Sequence, residues 1–79
     1  MLDDTYDKIF DQNFDDTLFQ LTTRSEAPDF AIEDVNEELH HLYIYEGQDW
    51  GGRGELKQAE ISGMILAYQA FLKRFGSDL

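Results

Sequence analysis

The residues of this chain that can carry chemistry are its carboxylates, two adjacent histidines, three serines and one glycine-rich loop. Carboxylates dominate: 17 Asp and Glu stand against 6 Lys and Arg in 79 residues, a formal net charge of −11. Acid–base catalysis needs a carboxylate whose surroundings set it apart, and here carboxylates recur all along the chain without one being singled out. Ser25, Ser62 and Ser77 stand in no nucleophile-elbow pattern. The absence of cysteine excludes disulfides, thiolate nucleophiles and Cys-type zinc sites. His40 and His41 are neighbours, so on a helix their side chains diverge by about 100°. Glu37 and His41 stand at i,i+4 and could supply two ligands, which without a third make no zinc site. The expectation is a non-enzyme, with no catalytic residues, no metal and no cofactor.

The charge is unevenly placed. Residues 1–40 hold 12 acidic and 2 basic residues, whereas residues 41–79 hold 5 and 4. Six aspartates (Asp3, Asp4, Asp7, Asp11, Asp15 and Asp16) fall in the first stretch. On a helix they give about one negative charge per 4 Å of axis, close to the ~3.4 Å of one strand of duplex DNA. Asp4, Asp7, Asp11, Asp15 and Asp16, with Glu33 and Glu37 further on, are the candidate surface for a basic partner. The other reading of the same residues is a solvated face that keeps a small apolar protein in solution. An acidic chain does not itself favour a nucleic-acid backbone or an anionic membrane.

The second constellation is Trp50-Gly51-Gly52-Arg53-Gly54 ahead of an apolar segment. Glycines before a helix N-terminus are a generic anion cradle, and Arg53 and Lys57 could add charge-assisted bonds. The Gly-Lys-Ser/Thr ending of a Walker loop is absent. A phosphate or nucleotide site at Trp50, Gly51, Gly52, Arg53 and Lys57 is the alternative functional reading, and a plain interhelix turn is the structural one.

The elements that must position these residues are helices. In residues 1–24, Leu2, Tyr6, Ile9, Phe10 and Phe14 share one side and Asp4, Asp7, Asp11 and Asp15 the other. Aspartate is a poor interior helix former, and like charges at i,i+4 cost ~0.2–0.5 kcal/mol per pair. One acidic helix, or a pair broken near Asn13, is therefore expected. Thr22 to Asp29 reads as a linker around the only proline, Pro28. Asp29 reads as the N-cap of a helix over 29–46, stopped by Gly47. Leu42 to Tyr45 alternates in bulk and could instead be a short strand. A loop follows over 47–54. The last helix, 55–75, has Glu55 at its positive end and Lys73 and Arg74 at its negative end.

That last helix is apolar on two adjacent faces. One face carries Ile61, Met64, Ile65, Tyr68, Phe71, Leu72 and Phe75. The next carries Leu56, Ala59, Gly63, Leu66, Ala67 and Ala70, within which Ala59, Gly63 and Ala67 form a small-residue ridge suited to close packing. Three helices offer few elements to cover both faces, so self-association through the ridge, giving a homo-oligomer, is an expectation. The fold class expected is all-α: a single small helical bundle, with an acidic N-terminal helix or helix pair followed by a helical hairpin.

The run Tyr45-Glu46-Gly47-Gln48-Asp49-Trp50-Gly51-Gly52-Arg53-Gly54-Glu55, followed by Ala59-Glu60-Ile61 and Ile65-Leu66-Ala67-Tyr68, resembles small uncharacterised proteins of bacterial phages and mobile elements. The resemblance covers residues 45–79 and leaves the acidic first half outside. It implies a cytosolic bacterial setting and a role in phage–host conflict. Taken with the charge, the leading expectation is an interaction protein that occupies a basic surface of a nucleic-acid-binding partner. Such a protein would mimic nucleic acid and inhibit a nuclease or defence complex, as anti-CRISPR and anti-restriction proteins do. The alternatives are the phosphate-binding oligomer and a purely structural subunit. The N-terminus has neither a basic region nor an apolar stretch, so no signal peptide is expected.

Overall fold

The computed structural model describes residues 4–48 and 55–75. They form three helices: α1 (Asp4–Arg24), α2 (Ile32–Gln48) and α3 (Glu55–Arg74). The described residues contain no strand, so Leu42 to Tyr45 is helical. None of the helices is long and apolar enough to cross a membrane.

The first helix is continuous. Of the two alternatives the single helix is found: Asn13 donates from Nδ2 to the Ile9 carbonyl at 2.9 Å and stays within the helix. The reason is tertiary. α3 lies directly over this stretch, so that a Cβ placed on Gly63 would sit 2.5 Å from the Phe10 carbonyl oxygen and 3.2 Å from the Phe14 nitrogen. Packing along its middle outweighs the poor propensity of its aspartates.

α1 ends in a tightened turn. Ser25 N–H donates to the Leu21 carbonyl, then Glu26 to Thr23 and Ala27 to Arg24, all at 3.0–3.1 Å. Pro28 has no N–H to carry the series on. Phe30 N–H returns to the Ala27 carbonyl at 3.1 Å, which keeps Phe30 in the turn. Its ring meets Phe71 edge-on at 6.1 Å and Phe75 at 5.5 Å. This anchor is why α2 starts at Ile32 and not at an Asp29 cap. At its other end α2 runs through Gly47 to Gln48 and does not stop at the glycine.

α3 is the central element. α1 and α2 each pack against it, α1 the more closely, while their own backbones do not approach each other closely. The ring contacts of Phe30 at one end and a 3.1 Å bond from Gln58 Nε2 to Glu46 Oε2 at the other make α2 and α3 an antiparallel hairpin. The core is Leu21 of α1, Val35 and Leu39 of α2, and Ile61, Ile65, Phe71 and Leu72 of α3. Leu18, Phe30, Ile32, Leu42 and Tyr68 pack around it. Leu21 and Val35 are fully buried, each worth about 1.5–3 kcal/mol relative to exposure.

The small-residue ridge is real, but its partner lies in the same chain. Ala59 and Ala67 are 0% exposed and Gly63 is buried, with the α1 backbone against Gly63. Ala59, Gly63 and Ala67 are therefore occupied internally, which removes them as a surface for a second copy. α3 is apolar on two sides because it has a neighbour on each.

Candidate functional site

The inward side of α1 is fixed by α3, and this decides what its outward side presents. Tyr6, Ile9, Phe10, Asn13, Phe14, Thr17 and Leu18 are half-buried and Leu21 is buried. Asp7, Asp11, Asp15 and Asp16 are all exposed. Asp7, Asp11 and Asp15 repeat at i,i+4, so their Cα atoms rise about 6 Å per step along one side, with Asp16 about 100° round from Asp15. None of these four carboxylates takes part in an ion pair among the described residues. Asp4 begins the helix, but its side chain, like all of Asp3, lies outside the described residues.

One residue of this surface was not singled out from the sequence. Phe19 is 72% exposed, more than any other large apolar side chain described. It follows Asp15 by four residues and Asp16 by three, so its ring stands beside both carboxylates on the helix surface. Its absence from the Tyr6/Ile9/Phe10/Phe14 stripe was the available signal.

Glu33 and Glu37 are exposed on the outward side of α2. They belong to α2, whereas the exposed aspartates belong to α1.

Of the phosphate-site residues, Trp50, Gly51, Gly52 and Arg53 lie outside the described residues. Lys57 is exposed, and its Nζ lies 3.3 Å from Glu60 Oε1. His40 and His41 lie side by side with ring centroids 6.4 Å apart. No group of three or more His, Asp or Glu side chains is placed to hold a metal ion among the described residues.

A polar cluster unseen in the sequence joins all three helices. Arg24, at the end of α1, donates from both terminal nitrogens to the two Glu38 oxygens at 2.8 and 2.9 Å. Tyr68 of α3 donates its hydroxyl to Glu38 Oε1 at 2.8 Å. The hydrogen bonds from Arg24 hold the Glu38 carboxyl below its ordinary range, and the Tyr68 bond acts in the same direction. Burial, then the bond to Glu38, pushes the Tyr68 hydroxyl up to about 12. Both charged partners are about 40% exposed, so the ion pair itself contributes only ~0.2–1 kcal/mol. The pairs lie 14 and 30 residues apart, beyond any local sequence signal.

No protein-family model, no curated protein and no solved structure matches this chain.

Proposed function

We propose that this chain is a small interaction protein that presents the outward side of α1 to a basic surface of a partner protein. The observation that carries this reading is the exposed series Asp7, Asp11, Asp15 and Asp16 with Phe19, 72% exposed, standing beside it. A face kept acidic only for solubility has no use for an exposed phenylalanine, which costs solvation. A binding surface does: aromatic side chains are enriched in interfaces, and acidic groups around them steer a cationic partner and speed encounter. The fitting partner is a nucleic-acid-binding protein whose basic groove normally tracks phosphates. Occupying that groove would inhibit it, as a phage-encoded nucleic-acid mimic inhibits a nuclease or a defence complex in the bacterial cytosol.

The test is affinity capture from bacterial lysate, with wild type and with Asp7, Asp11, Asp15 and Asp16 all changed to Asn. The expected result is a basic protein held by wild type at low salt, released at high salt, displaced by added DNA or RNA and missed by the variant. Capture of the same protein by the variant with undiminished affinity at low salt overturns the reading.

A further inference from the structure

We infer that the groove between α2 and α3 is a second docking site, shaped for a basic amphipathic helix of a partner protein. It goes beyond the acidic face of α1, because none of its lining residues belongs to that helix. Glu38, His41, Leu42 and Tyr45 of α2 and Met64 and Tyr68 of α3 line a groove of about 370 Å³. It exists because the backbones of α1 and α2 pack on α3 without approaching each other closely, which leaves Met64 of α3 half-buried.

Its chemistry selects the occupant. Leu42, Met64 and the two tyrosine rings offer apolar contact, and a thioether adapts to side chains of several shapes. Two packed helices form a trough that an apolar helix stripe fills through side chains at i, i+3, i+4 and i+7. The charge around the trough is acidic. Glu38 lines it with its charge met by Arg24, and the acidity comes from exposed Asp34 and Glu37 on the same helix. Among the described cations, Arg24 is engaged with Glu38 and Lys57 with Glu60. A second copy of this chain would bring another formal charge of −11 against it, and an anionic membrane would be repelled in the same way. A helix with leucine-like side chains on one side and lysine or arginine on the other satisfies both the floor and the rim.

The test uses a synthetic leucine–lysine peptide of about 16 residues, ~24 Å as a helix, with leucines at i, i+3, i+4 and i+7. A scrambled peptide of the same composition controls for charge alone. In NMR titrations the patterned peptide should bind about tenfold tighter than the scramble and shift the Met64 methyl and the Leu42 methyls. Tyr45→Ser, at an exposed position, and Met64→Gln should each abolish the preference while circular dichroism stays helical. The variant with Asp7, Asp11, Asp15 and Asp16 changed to Asn should keep the preference, which separates this site from the α1 face. Equal binding of the two peptides, or shifts confined to α1, overturns the inference. So do Met64 shifts that depend on protein concentration without peptide, which would mark a second copy as the occupant.

Discussion

The Tyr68 hydroxyl donates to Glu38 Oε1 at 2.8 Å across the α2–α3 interface, onto the same oxygen that accepts from Arg24 of α1. One carboxylate is thereby the meeting point of three helices, two of which approach each other through these side chains. Tyr68→Phe keeps the ring and removes only the bond. It should cost about 0.5–1.5 kcal/mol. For a domain of this size that lowers Tm by roughly 4–8 °C per kcal/mol, readable by thermal circular dichroism. An unchanged Tm would mean that water replaces the hydroxyl without loss.

The same cluster sets a pH window at each end. Glu38 is more acidic in the folded chain than its ordinary value of 4.5, so its stabilising effect is present above that value. It is lost as pH falls through the depressed folded value. Tyr68 is raised from 10.0 to about 12, so its contribution is intact below pH 10.0 and disappears as pH rises through about 12. Tyrosinate absorbance should show a step near pH 12 in wild type that Tyr68→Phe lacks. Glu38→Gln should flatten the acid limb of the stability curve. Amplitude lost near pH 10 and not near pH 12 in Tyr68→Phe would contradict the bond.

Gly63 allows no side chain. Gly63→Ala would set its Cβ 2.5 Å from the Phe10 carbonyl oxygen, a backbone atom that moves only with α1. Overpacking of this kind costs typically ~1–3 kcal/mol. Urea unfolding should show the midpoint fall, with the variant still helical. Because the Ala59/Gly63/Ala67 ridge is filled from within, light scattering of wild type at micromolar concentration should give the mass of one chain, 9.2 kDa. A dimer mass would mean that α1 exchanges between copies or that another surface associates.

Changing Asp7, Asp11 and Asp15 to Asn should stabilise the free protein. The change removes two like-charge i,i+4 contacts, each worth ~0.2–0.5 kcal/mol at low ionic strength. The gain should fade in about 1 M salt, where the Debye length is ~3 Å. A loss of stability at low salt would show that the aspartates take part in holding the fold.

Local patterns carried the reading of this chain as far as their range allows. α3 was legible because its apolar content, Glu55 at one end and Lys73 and Arg74 at the other all act within one helix. The outward placement of Asp7, Asp11 and Asp15 followed from helical period alone. The start of α2 was misread because Asp29 has the chemistry of a cap, while Phe30 is held in the turn by rings more than forty residues away. Whether α1 was one helix or two stayed open for a similar reason: the poor propensity of the aspartates was visible, and the packing of α3 over the stretch around Asn13 was not. The ridge announced a close neighbour without saying that the neighbour was α1. The Arg24–Glu38–Tyr68 cluster had no signature, since any of several arginines, glutamates and tyrosines could have met.

The helix with the densest run of exposed aspartates is also the one seated most closely on the core, its backbone pressed against Gly63 at mid-length. Its carboxylates therefore ride on a rail whose spacing is settled before any partner arrives. A disordered acidic tail of equal charge would have to be ordered on contact and would lose part of its affinity to that entropy. Here folding has already set the backbone, and only the side chains of Asp7, Asp11, Asp15, Asp16 and Phe19 remain to be fixed. The rigidity also works as a filter, since a basic surface that cannot match a straight helical row gains little from the charge.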